Sequence, residues 1–227
     1  MDFSLILPIY NEEKNIGSIV SLLLEKFPQA EIILVNDGST DKTADILNSY
    51  FNHTRIISYP KNMGKGYAIK MGVQEATKEY ILFCDADLPF GIEGITRLLE
   101  KLNTDSNFDI AIVEKIQPKE KLIYHLSKII VKKLIILFTG LKFKDTQAGL
   151  KGFKKEVAQN IFPHTFIKRF AIDIEILYLA KKLHYNVGTL GLRVEDNYYT
   201  RPSKFAIKER FYLLKDIFKI YFHHYNV

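Results

Sequence analysis

The sequence predicts an α/β domain: a mostly parallel central sheet flanked by helices, with amphipathic helices in its C-terminal half. Three observations predict it. Short apolar runs alternate with stretches of helical period through the first 84 residues. Each of those runs ends in a polar turn rather than fading into the next element. The chain of 227 residues is 47% hydrophobic, enough for one sizeable core and too much for a disordered segment.

Phe3 to Ile9 is the first strand, followed by Tyr10-Asn11-Glu12-Glu13. A helix is expected from about Glu12 to Phe27, with Ile16, Ile19, Val20 and Leu23 on one face and Pro28 closing it. Glu31 to Val35 is the second strand, ending in Asn36-Asp37-Gly38-Ser39-Thr40-Asp41, a turn with helix-capping chemistry. The next helix runs to about Tyr50, and Arg55 to Ser58 is the third strand. The loop Lys61-Asn62-Met63-Gly64-Lys65-Gly66 leads into a helix ending near Ala76. Tyr80-Ile81-Leu82-Phe83-Cys84 then forms a fourth strand that stops at Asp85-Ala86-Asp87. Such an order requires right-handed crossovers, which deliver every strand-following loop to one sheet edge. Glu12, Asp37, Lys65, Asp85 and Asp87 are therefore expected to converge.

A helix from about Glu93 to Leu102 precedes a fifth strand, Asp109 to Val113. Leu122 to Phe138 is strongly apolar but carries His125, Lys128, Lys132 and Lys133. These interruptions argue against a spanning helix. They leave two readings, a basic amphipathic helix on a membrane surface or an ordinary core helix. Asp145-Thr146-Gln147-Ala148-Gly149-Leu150-Lys151 is a polar loop entering a short strand. Phe170 to Leu183 reads as a helix containing Asp173 and Glu175, Val187 to Val194 as a strand, and Tyr198 to Lys204 as a polar aromatic loop. Phe205 to about Tyr225 is a final helix rich in Phe, Tyr, Ile and Lys. The organisation expected is one domain over residues 1–204, with a first half to residue 113, a second half over 114–204, and a C-terminal amphipathic helix over 205–227.

The net charge of +6 hides an asymmetry. Residues 1–110 carry 10 Lys and Arg against 16 Asp and Glu, and the remainder carries 22 against 10. The acidic half suits a cation and the groups a cation carries. The basic half suits anions: phosphates, an anionic membrane face or nucleic acid. The single cysteine, Cys84, allows no internal disulfide and fits a reducing compartment; in an apolar strand it reads as packing. The chain enters a strand within three residues, so no signal peptide is expected.

Two carboxylates one residue apart at a strand end repel each other unless something positive lies between them. A divalent cation carrying a diphosphate satisfies both, and helix capping by Asp85 or Asp87 is the plainer alternative. Gly64-Lys65-Gly66 lacks the spacing of a Walker loop, and the turn after the first strand lacks a glycine-rich dinucleotide fingerprint. No His/Cys set has zinc-ligand spacing and no Gly-x-Ser-x-Gly elbow is present. Tyr10 offers a face for a base and Glu12 an acceptor for a ring N–H or a ribose. Lys65 is read either as a phosphate contact or as a solvated loop lysine.

Four motifs in order, Pro8-Ile9-Tyr10-Asn11-Glu12, Val35-Asn36-Asp37-Gly38-Ser39-Thr40-Asp41, Gly64-Lys65-Gly66-Tyr67-Ala68 and Asp85-Ala86-Asp87, each stand at a strand end. With them the chain resembles a family-2 inverting glycosyltransferase of the GT-A, or nucleotide-diphospho-sugar transferase, fold. Asp145 to Lys151, Phe170 to Glu175 and Arg201-Pro202-Ser203-Lys204 extend the resemblance to the dolichyl-phosphate mannose synthase and polyprenyl-phosphate glucosyltransferase branch, over nearly the whole chain. The resemblance implies transfer of one sugar from a nucleoside-diphosphate sugar to a polyprenyl phosphate. It implies Mg²⁺ or Mn²⁺ on Asp85 and Asp87, and a nucleotide-sugar site of Pro8, Tyr10, Glu12, Val35, Asp37, Lys65, Asp85, Ala86, Asp87, Arg201 and Lys204. Asp145 is the candidate for orienting the acceptor or taking a proton, with Asp87 beside it as a catalytic residue. Lys115 and Gln147 are the candidates for holding the acceptor.

Two departures are visible. Relatives often place Gln two residues after the second metal aspartate, where this chain has Pro89. Relatives often carry Gly-Ser-Arg after the fifth strand, where this chain has Val113-Glu114-Lys115, a point charge without a bidentate fork. A second reading keeps the enzyme class and moves transfer to a sugar hydroxyl of a surface polysaccharide or glycolipid. A third is a catalytically silent or nucleic-acid-binding module, against which the acidic motif half argues, so no nucleic-acid partner is expected. The enzyme is expected in the cytoplasm, peripherally held at the cytoplasmic face of a membrane by Leu122 to Phe138 and the last helix.

Overall fold

The computed structural model describes residues 2–116, 122–194, 207–225 and 227. Among the described residues seven strands form one sheet: β1 Phe3–Ile9, β2 Glu31–Asp37, β3 Arg55–Tyr59, β4 Tyr80–Cys84, β5 Ile110–Ile116, β6 Leu150–Lys154 and β7 Val187–Arg193. Their spatial order is β3-β2-β1-β4-β6-β5-β7. Every neighbouring pair is parallel except the two made by β6, which runs antiparallel to β4 and β5.

The helices are α1 Ile16–Lys26, α2 Thr43–Asn48, α3 Lys65–Glu75, α4 Gly91–Thr104, α5 Leu122–Thr139, α6 Lys155–Ile161, α7 Ile172–Lys182 and α8 Ile207–Phe222, with a 3₁₀ turn at Phe162–His164. Alternation along the strands sorts the core into two layers. Leu5, Leu7, Leu34, Leu82 and Val113 face α1 and α4. Ile6, Val35, Phe83, Ile112 and Phe153 face α3, α6 and α7. On that side α5 adds Ile135, and α8 adds Leu213, Ile217 and Ile220.

One local feature differs from the sequence reading and a second completes its mostly parallel sheet, each for a physical reason. The first helix begins at Ile16 rather than near Glu12. Asn11 stands at φ +53, and its backbone N–H donates to Ser39 Oγ while that of Glu12 donates to Thr43 Oγ1, so these residues clasp the loop after β2 instead of coiling. The second is the reversal of β6. An antiparallel strand brings the loop before it, not the loop after it, to the edge where the parallel strands end. That places residues 145–149 beside Asp85, as the register Cys84 to Leu150 requires.

Candidate active site

The site lies at the C-terminal edge of the parallel strands, the side on which open α/β sheets bind ligands. At β1 and β2 the two loops interlock: Thr40 N–H donates to Asn11 Oδ1, and Lys42 N–H to Glu13 Oε2. Tyr10 is left 42% exposed, enough of its ring to meet a planar group. Asp37 closes β2 and is buried. Its carboxylate accepts the backbone N–H of Met63 at 2.7 Å and of Gly64 at 2.9 Å, which pins the turn that begins α3. Gly64 takes φ +101, and an added Cβ would lie 2.4 Å from the Lys168 carbonyl oxygen, so the turn needs glycine on both counts.

From that turn Lys65 reaches the end of β4. Its Nζ lies 2.8 Å from Asp85 Oδ1 and 3.3 Å from Asp173 Oδ2, with only 11% of the side chain exposed. The solvated-lysine reading therefore fails. Burial disfavours its charge, but Asp173 and Asp85 outweigh burial and hold the ammonium protonated well above the usual lysine range. Asp173 is itself buried, which works against ionisation. Lys151 and Lys65 together overcome that cost and hold its carboxyl below the usual range. Lys151 Nζ lies 2.6 Å from Asp173 Oδ1. Cys84, one residue before Asp85, is buried, and burial with the two neighbouring carboxylates pushes its thiol well up; it is a packing residue.

The capping alternative for the aspartate pair is resolved. The next helix, α4, starts at Gly91, its N-cap is Phe90, and no side chain caps it. Asp85 is partly exposed, Ala86 is buried and Asp87 is intermediate. Among the described residues no group of three or more His, Cys, Asp or Glu side chains could hold a metal ion. The protein donors available here are thus the two carboxylates. Two carboxylates are hard oxygen ligands of the kind Mg²⁺ or Mn²⁺ takes when it shares a substrate's diphosphate, so the donor set fits the ion.

On the side of the Asp145 loop, the Gly149 carbonyl accepts the Asp85 backbone N–H at 2.8 Å. Asp145 Oδ1 accepts the Gln147 N–H at 2.9 Å in a local turn, and both residues are partly exposed. Glu114, at the end of β5, accepts the Lys144 N–H at 2.8 Å, which ties this loop to the strand that carries Lys115. Arg201 and Lys204 lie outside the described residues. Sequence reasoning did not single out Lys151 or Gly149. The available signal was a lysine inside the short apolar strand Leu150–Lys154, which must find a buried anion.

Comparisons with known proteins identify the family. The family described as Glycosyl transferase family 2 matches residues 4–162. The Dictyostelium discoideum protein named dolichyl-phosphate β-glucosyltransferase is 30% identical over 96% of this chain and 73% of its own length. The human protein of the same name is 29% identical over 78% of this chain and 62% of its own. Among solved structures, glucosyl-3-phosphoglycerate synthase from Mycobacterium tuberculosis, in complex with Mn²⁺, uridine diphosphate and phosphoglyceric acid, superposes with a TM-score of 0.74 at 17% identity, over 96% of this chain and 76% of that one. A second complex of that synthase, with Mg²⁺ and uridine diphosphate, gives 0.72. The fold is GT-A, and with a family match over most of its length the chain belongs to glycosyltransferase family 2 and is a glycosyltransferase.

Proposed function

We propose that the protein transfers a single sugar from a nucleoside-diphosphate sugar to a polyprenyl phosphate of the dolichyl or undecaprenyl type. The observation that carries this reading is the placement of Asp85. It stands at the end of β4 with Lys65 on one side and the Gly149 carbonyl on the other, between the donor motifs and the Asp145 loop. The dolichyl-phosphate names of the relatives support the acceptor.

In this reading Pro8, Tyr10, Glu12, Val35, Asp37 and Ala86 surround the nucleoside. Asp85 and Asp87 hold Mg²⁺ or Mn²⁺, which when bound neutralises charge growing on the departing diphosphate. Lys65 stays protonated and adds a fixed positive charge at the same edge, and Arg201 and Lys204 close over the diphosphate. Lys115 and Gln147 hold the acceptor phosphate. That phosphate is an anion near neutral pH and attacks without a strong base, so Asp145 chiefly orients it.

The protein would meet its acceptor as a peripheral enzyme at the cytoplasmic face of a membrane. No helix among the described residues is long and apolar enough to cross one. Supporting a surface mode, α5 and α8 expose Leu137 and Phe222 beside Lys132, Lys133 and Lys215.

The test is a donor-by-acceptor assay. Purified protein with Mn²⁺ or Mg²⁺ is given labelled GDP-mannose, UDP-glucose or UDP-N-acetylglucosamine and polyprenyl phosphate in detergent, beside Asp87→Ala. Metal-dependent label in the lipid phase, lost in the variant, is the expected result and names the sugar. Donor hydrolysis without lipid product would move the acceptor to a sugar hydroxyl.

A further inference from the structure

Lys151 is a lysine with no exposed side-chain surface, set in β6 between Leu150 and Gly152. Its ammonium makes two short contacts and lies 5.6 Å from the centre of the Phe83 ring. One contact is to Asp173 Oδ1 at 2.6 Å, the other to the Ala148 carbonyl oxygen at 2.7 Å. Both lead to the same place. Through Asp173, whose other oxygen lies 3.3 Å from Lys65 Nζ, the charges alternate Lys151, Asp173, Lys65, Asp85 and end at the Asp85 carboxylate. Through Ala148 the ammonium holds the segment whose next residue, Gly149, accepts the Asp85 backbone N–H. Gly149 also leaves the carboxylate its room, since an added Cβ would fall 1.9 Å from Asp85 Oδ2.

Stability alone does not account for this arrangement. A buried ion pair is often no better for folding than an apolar pair of the same volume, because both charges lose their hydration. What the pair supplies is geometry: it sets one carboxylate from its backbone side and its side-chain side at once. We propose that Lys151 is a positioning residue for glycosyl transfer. It fixes Asp85 in the orientation that receives the cation-bound diphosphate, and it holds the Asp145–Gly149 acceptor loop in register with that carboxylate. The inference rests on the proposed role of Asp85.

Binding of UDP and of GDP, each measured by titration calorimetry with Mn²⁺ and again in EDTA, tests it. The proteins are the wild type, Lys151→Met and the charge-neutral double variant Lys151→Met/Asp173→Asn. The double variant removes the uncompensated carboxylate, so a folded protein is at hand if the single variant is too unstable; circular dichroism checks both. The expected result is unchanged nucleotide affinity in EDTA, with the strengthening due to Mn²⁺ reduced about tenfold or more in both variants. Equal weakening with and without Mn²⁺ would mean a merely structural lysine, and wild-type Mn²⁺-dependent affinity in the double variant would mean no positioning role; either overturns the inference. A wild type that binds neither nucleotide overturns the donor site itself, a separate outcome, and the inference with it.

Discussion

At the scale of single residues, Asp85 is shaped by what lies across the sheet from it more than by its own sequence neighbours. An apolar run that stops at two carboxylates is visible in the sequence, and so is its place at a strand end. Its environment comes from elsewhere: Lys65 from the start of α3, Asp173 from α7, Gly149 from the loop before β6 and Lys151 from β6 itself. Periodicity reads local burial and cannot read such pairings, so in the sequence Lys151 looks like one more lysine at the end of a polar loop. Gly149 offers the sharper test of how tightly the carboxylate is placed. A methyl group there would overlap Asp85 Oδ2, and because the backbone at Gly149 is held by the Asp85 N–H, the carboxylate is what must move. Displacing a reacting group by about 1 Å costs on the order of a hundredfold in rate. Gly149→Ala is therefore expected to fold, by circular dichroism, and to lose about two orders of magnitude in metal-dependent transfer. A variant with wild-type kcat would show that Asp85 tolerates displacement and is no metal ligand.

Among the elements, the alternation β-α-β-α-β-α-β was legible because each strand is a compact apolar run and each helix has a polar face. The direction of β6 was not. A strand of five residues, the first four all buried, carries no mark of its direction, and only pairing with β4 and β5 fixes the reversal. The short α6 is illegible for a similar reason, having too few turns to show a period. The C-terminal tail makes a contact that no local pattern announces. Tyr225 donates its hydroxyl to Glu175 Oε1 at 2.9 Å, and the same carboxylate accepts the backbone N–H groups of Phe166 and Ile167. That segment continues to Lys168, whose carbonyl accepts the N–H of Gly66 at the start of α3. Burial raises the Glu175 pKa, against the pull of these three donors. A carboxyl raised in the folded state adds stability fully below its unfolded value and loses it as pH climbs through the folded value. Tyr225→Phe deletes one of the bonds that favour the ionised form, so its effect depends on pH. The loss should be small where Glu175 is protonated and grow to about 1.5–3 kcal/mol where it is ionised. Urea denaturation between about pH 4.5 and about pH 8 measures this, and a pH-independent difference would place the tyrosine's contribution in packing alone.

For the molecule as a whole, the division of charge seen in the sequence becomes a division of surfaces. The acidic first half builds β1 to β4 and the loops at their ends. The basic second half builds the α5–α8 pair, where Phe138 packs on Phe218 and Tyr221. Beyond the seam the pair exposes Ile136, Leu137 and Phe222, and the seam's own Phe218 and Tyr221 stay partly open to solvent, alongside Lys132, Lys133, Lys215 and Lys219. Asp216, the carboxylate on this part of α8, is buried and bonded to Lys219. Of the two readings the sequence left open for Leu122 to Phe138, the core contact is present at Ile135, and the membrane-surface role is the proposal that the exposed side supports. Ile135, Leu213, Ile217 and Ile220 enter the core while the opposite sides stay apolar and basic. Such a surface should bind anionic bilayers better than neutral ones, since a lysine near an anionic surface contributes about 1 kcal/mol and buried apolar side chains add to it. Sedimentation with phosphatidylglycerol-containing vesicles should carry the protein down at low salt and release it progressively as salt screens the charges. Lys132→Gln/Lys133→Gln should weaken that binding roughly tenfold or more, while Leu137→Ala/Phe222→Ala should weaken binding that survives high salt. Neither pair is among the residues proposed to hold donor or acceptor, so transfer to a short, water-soluble prenyl phosphate should persist in both variants. Loss of that soluble reaction would mean that the helix pair shapes the catalytic edge instead of bringing it to a membrane.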